Sequence, residues 1–247
     1  MGLCHAEGAM KRDGMKVPEF GMLMLGVDTC GPVGSVALGR LAGRDLEMLG
    51  QIGLEGRSYS TTLVAAVGNL LREAGVELRD LGGIVAVNGP GSFTGVRVGL
   101  SAVKGLAEAA GIPVVAVSRL AVLARKAGAG WAALDAHRGE VYLRLERAGS
   151  KPMEMLAGTD ELRQLLPGPL RAAVCDEAAA ELLLASWPGT LQVKCTAPMA
   201  ADAFRLGEAL LVAGAQIDLA LLDGHYLRRS DAEIFGETAQ GGRVQGA

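Results

Sequence analysis

Two stretches of this chain, 107 residues apart, read alike: "VDTCGPVGSVAL" from Val27 and "LDAHRGEVYL" from Leu134. Each closes an apolar strand on an aspartate, Asp28 or Asp135, and passes through a glycine-containing turn. Each then opens a returning strand with Gly-x-Val-x-Leu. A match this short is compatible with coincidence. Taken as a repeat, it predicts two related α/β lobes, each begun by an antiparallel hairpin, and few other folds meet that demand.

The segments between and beyond the hairpins fit such lobes. "LEMLGQIGL" extends the first hairpin by a third strand, and "LGGIVAV" and "IPVVAVS" are short apolar strands. In "SYSTTLVAAVGNLLREAG" (58–75), Leu63, Val67, Leu70, Leu71 and Ala74 recur at helical spacing, and Gly75 suits the stop. "RLAVLARKAGA" is another helix. The second half holds candidate strands "PMEML", "LRAAVC" and "LQVKC" and candidate helices "TDELRQLL", "DEAAAELLLASW" and "AADAFRLGEALLVAG". The alternation predicts α/β layers with helices flanking mixed sheets. The first lobe is expected over residues 22–117 and the second over 118–235. Residues 1–21 and 236–247 are expected to be disordered, with Met22 or Met24 beginning the fold and the start site left open among Met1, Met15, Met22 and Met24.

The stretch "IVAVNGPGSFTGVRVGLSAVKGLAEAAG" (84–111) runs from a strand through a glycine-rich turn into a long helix. That geometry suits a phosphate. The P-loop needs Gly-Lys-Ser/Thr, however, and Val96 follows the last glycine; the dinucleotide pattern needs a third glycine where Thr94 stands. What remains is a stripe of tiny side chains, Gly95, Gly99, Ala102, Gly105 and Ala109, beside a larger apolar stripe. Two apolar faces imply two neighbours, one of them very close. Pattern alone leaves open whether the close neighbour belongs to the same lobe or to another subunit.

Reagents for catalysis are scarce. His5, His137 and His225 form no metal-binding pair, and no Gly-x-Ser-x-Gly elbow occurs. Asp28 and Asp135 are candidates for holding a cation, although aspartates at such positions also serve as turn formers. Arg97 is a candidate for meeting a phosphate or carboxylate. A net charge of −3 without a basic run excludes a strong stand-alone binder of polyanions. No apolar run reaches the ~18–20 residues that cross a bilayer, residues 1–21 hold no signal-peptide block, and the four cysteines form no CxxC. A cytoplasmic protein with no membrane contact is expected.

"LGVDTCGPVGSVAL", "NGPGSFTGVRVGLSAVKGLA" and "LDAHRGEVY" together resemble the TsaB (YeaZ) family, from about Leu23 to Arg229. The resemblance implies a two-lobed actin-like ATPase fold (ASKHA, ribonuclease H-like) with a degenerate nucleotide site. It implies the dimerisation subunit of the complex that makes threonylcarbamoyladenosine beside the tRNA anticodon. Its partners would be a TsaD-like catalytic paralog and a TsaE-like ATPase, with a homodimer formed alone and tRNA reached only through the complex. No cofactor is expected on this chain by itself, and ATP or ADP belongs at a joint of the complex. The implied interface uses Leu63, Val67, Leu70 and Leu71 of one helix and Gly95, Gly99, Ala102, Gly105 and Leu106 of the next. Alternatives are a small-molecule kinase or ATPase of the same superfamily, or a glycoprotease-like peptidase.

Overall fold

The computed structural model describes residues 21–42, 45–55 and 58–228. The expected disorder at residues 1–20 and 236–247, the last residues of the expected second lobe (229–235), and the start sites Met1 and Met15 lie outside the described residues.

The first sheet is built from β1 (Met22–Asp28), β2 (Val33–Ala42), β3 (Asp45–Glu55), β4 (Gly83–Val87) and β5 (Val114–Val117), in the order β3-β2-β1-β4-β5. β1, β2 and β3 run antiparallel in sequence, and β4 and β5 add parallel strands beside β1. The second sheet is built from β6 (Trp131–Asp135), β7 (Val141–Leu145), β8 (Met153–Ala157), β9 (Arg171–Val174) and β10 (Leu191–Lys194). Its order, β8-β7-β6-β9-β10, repeats the first with the same antiparallel and parallel pairings. β6 therefore stands where β1 stands, and the hairpin repeat is a repeat of structure.

Helices cover the sheets: α1 (Tyr59–Ala74), α2 (Phe93–Ala110), α3 (Arg119–Ala127), α4 (Thr159–Gln164), α5 (Glu177–Ser186) and α6 (Phe204–Val212). α1 lays Leu63, Ala66, Val67 and Leu70 on the first sheet and ends on Gly75, whose φ of 66° is the left-handed stop expected there. α2 is capped by the Ser92 hydroxyl, which accepts from the Gly95 N–H.

One boundary is corrected. Residues 200–222 follow the second lobe in sequence but pack into the first. Ala200, Ala203, Phe204, Leu211 and Leu222 belong to the first sheet's core. The Phe204 ring fills the gaps left by Gly26 on β1 and Gly39 on β2. Ala200 N–H donates to Ser35 Oγ at 2.8 Å, and Ile217 N–H to the Val114 carbonyl at 2.8 Å. Helical periodicity announces an apolar face in α6 but not which sheet that face will cover.

Candidate functional site

The glycine-rich turn leads α2 straight onto the β1–β2 turn. Ser92 N–H donates to the Cys30 carbonyl at 2.7 Å, and Thr29 Oγ1 donates to the Gly95 carbonyl at 2.7 Å. A Cβ at Gly91 would collide with the Cys30 carbonyl, one at Gly95 with the Thr29 carbonyl, and one at Gly99 with the Thr29 hydroxyl. These three glycines admit the chain's own turn. The small-residue stripe is thereby divided: Gly95 and Gly99 are sealed under Thr29, whereas a Cβ at Gly105 meets open space.

The same enclosure decides Asp28. Its side chain is 1% exposed; Oδ1 accepts from Cys30 N–H at 2.8 Å, and Oδ2 lies 3.5 Å from Nε of Arg119, itself 7% exposed. Arg119 opens α3, and its guanidinium fills the space over Gly31. Burial opposes the guanidinium charge, but Asp28 and the neighbouring thiols outweigh it, and Arg119 titrates above its ordinary value. Tyr59 donates to the Gly31 carbonyl at 2.8 Å, and burial, then Asp28, pushes its hydroxyl up to about 12. Burial, again with Asp28, holds the Cys30 thiol well above its usual range, so it is no nucleophile. Of the two readings of Asp28, cation holder or turn former, the structure shows the turn, with the second oxygen facing the Arg119 guanidinium.

Asp135 forms the matching turn in the second lobe. Oδ1 accepts from His137 N–H at 2.7 Å, and Oδ2 lies 2.9 Å from His137 Nδ1. His137 and Arg138, with φ of 61° and 59°, hold the left-handed backbone that this turn needs. The Arg97 guanidinium lies 3.8 Å above the Phe93 ring and makes no ion pair among the described residues. Among the described residues, no group of three His, Cys, Asp or Glu side chains is placed to hold a metal.

The interface residues implied by the resemblance separate in the same way. Leu63, Val67 and Leu70 are 1–3% exposed and belong to the chain's own core, so they are removed from any surface. Apolar periodicity marks a buried face, and here the first sheet is what buries it. Leu71, Ala102 and Leu106 are half-buried, and Gly105 is exposed. The outer faces of α1 and α2, which pack side by side, instead show Val64 (58% exposed), Ala65, Gly68, Gly105 and Ala109. Their signal in the sequence was an uncharged, small-residue run on the side of α1 opposite its leucines.

The sequence reading also missed the joint between the lobes. Glu154 on β8 accepts from Ser118 Oγ at 2.6 Å and Arg144 Nη1 at 2.8 Å, and lies 2.8 Å from His225 Nε2. Ser118 caps α3, and His225 N–H is bound to the Asn88 carbonyl at the end of β4. Burial raises the Glu154 carboxyl, but the contacts from His225, Ser118 and Arg144 outweigh it and hold it below its usual range. Partners at separations of 36 and 71 residues leave no local pattern to read.

Two equivalent mixed sheets, each opened by an aspartate-ended hairpin and flanked by helices, define the ASKHA class, the ribonuclease H-like fold of actin-like ATPases. A family model described as TsaD, tRNA N6-adenosine threonylcarbamoyltransferase, matches residues 54–182, half of the chain. The chain belongs to this family, in its TsaB (YeaZ) branch. It is 37% identical over 127 residues to the tRNA threonylcarbamoyladenosine biosynthesis protein TsaB of Escherichia coli, covering 49% of this chain and 53% of that one. It is 36% identical over 125 residues to the Bacillus subtilis protein of the same name, with the same coverages. The chain thus spans about half the length of the curated relatives it matches. The solved structure of YeaZ from Pseudomonas aeruginosa superposes with a TM-score of 0.67 at 28% identity, over 83% of this chain and 100% of that one.

Proposed function

We propose that the chain is a non-catalytic dimerisation subunit for threonylcarbamoyl transfer to the adenosine beside the tRNA anticodon. It docks a TsaD-like catalytic paralog through the outer α1–α2 face, works with a TsaE-like ATPase, and pairs with itself when alone. ATP or ADP would enter only at a joint of that complex, and the cell compartment is the cytoplasm, where tRNA is modified. No helix among the described residues is long and apolar enough to cross a membrane.

The observation that carries this reading is the exposed small-residue face of α1 and α2, where Gly68 and Gly105 each look onto open space. A partner helix can approach such a face to backbone contact. The names of the curated relatives support the pathway. The kinase or ATPase alternative requires Asp28 to hold a cation, and Asp28 is committed to Arg119. Among the described residues, no group of three His, Cys, Asp or Glu side chains favours a metal-dependent peptidase.

The test is co-purification of the paralog on a sizing column. Gly105→Leu and Gly68→Leu are expected to abolish association while leaving the chain folded, since among the described residues nothing beyond the helix's own neighbouring backbone lies within 4 Å of either added Cβ. Gly99→Leu is expected to harm the fold itself, because Thr29 occupies that space. Undiminished complex formation by the Gly105 and Gly68 variants would overturn the proposal.

A further inference from the structure

The outer surface of α2 has two flanks. At 100° per residue, Thr94, Val98, Ala102, Gly105 and Ala109 form the small-residue flank, and Phe93, Arg97 and Lys104 form another beside it. On that second flank the Arg97 guanidinium lies 3.8 Å over the Phe93 ring, and Phe93 meets Tyr226 at 5.0 Å between centroids, tilted by 44°. Arg97 and Lys104 make no ion pair among the described residues. They stand two helical turns apart, an axial rise of about 10.5 Å.

Tyr226 is 37% exposed, yet the strand of chain that carries it is held on both sides. Before it, His225 is bound to the Asn88 carbonyl and to Glu154; after it, Arg228 pairs with Glu140 and donates to the His137 carbonyl. A rigid, partly exposed stack of two aromatic rings and a guanidinium, continued by a second unpaired cation, is the equipment that receives an unpaired base and its phosphates. An acidic peptide would use the cations but leave the planar faces without a counterpart.

The geometry points to a direct contact between this flank and a single-stranded segment of RNA, with one base stacked on Tyr226, which Phe93 supports, and phosphates on Arg97 and Lys104. This inference rests on the reading that the chain serves tRNA modification, and it adds a contact made by this subunit itself. The chain's net charge of −3 keeps such binding weak and local.

The test titrates the full chain into a fluorescein-labelled tRNA anticodon stem-loop at low salt, followed by anisotropy. Saturable binding is expected, weakened about tenfold by Phe93→Ala or Tyr226→Ala. Arg97→Glu should weaken it further, and Lys104→Ala should lower the slope of log affinity against log salt by about 0.7. Gly105→Leu should leave RNA binding intact while losing the paralog. If Gly105→Leu instead keeps the paralog, the docking proposal fails and the RNA contact stands. No saturable binding by the unaltered chain would overturn the inference. So would equal RNA binding by the Phe93 and Arg97 variants; if these lose the paralog instead, the flank is a protein contact.

Discussion

Asp28 and Asp135 occupy equivalent turns and have different fates. Both accept from the backbone N–H two residues on, the habit that makes aspartate a turn former. Asp135 keeps its second oxygen near solvent beside His137, whereas Asp28 turns its second oxygen to Arg119 in a nearly closed space. Removing one member of a buried pair strands the other charge, so Arg119→Met is predicted to cost about 3–5 kcal/mol. Asp28→Asn with Arg119→Met should cost less than the single Arg119→Met change; urea unfolding of the three variants decides this. The turn role of Asp28 was legible in the hairpin pattern. Its partner was not, because an arginine 91 residues away, at the mouth of an ordinary-looking helix, carries no mark of the direction in which it folds.

Among elements, the contrast between α1 and α2 shows what periodicity can and cannot tell. It located both helices and their apolar faces. It could not say that the leucines of α1 serve the first sheet, nor that Gly95 and Gly99 face a turn of the same chain. Periodicity assigns sides to a helix, while the neighbour on each side is set by tertiary packing. Beyond its ladder with β7, β8 is tied to Ser118 and His225 through Glu154, whose carboxyl is held below its ordinary range. A lowered folded value stabilises the fold above the unfolded value of about 4.3, and that stability is lost as pH falls through the folded value. The urea midpoint is therefore predicted to drop in acid below about pH 4, and Glu154→Gln should flatten that drop while lowering the midpoint at pH 7. An unchanged acid profile in Glu154→Gln would place the pH dependence elsewhere.

For the whole molecule, two lobes are tied by a chain that leaves the first sheet, builds the second and returns. The repeat was visible in twelve residues of hairpin, and the doubled strand order bears it out. The return was hidden, since Phe204 reads as one more apolar residue of a C-terminal helix until Gly26 and Gly39 are seen beneath its ring. Phe204→Ala is predicted to cost about 3–5 kcal/mol. Hydrogen exchange should show the loss in β1, β2 and β4, with β6 and β7 less affected; uniform deprotection of both sheets would contradict it. The return also sets an order of events on the ribosome. Strands made first wait, with the hollow over Gly26 and Gly39 still open, until residues past 200 have been synthesised, so the second lobe gains the means to close its interior before the first.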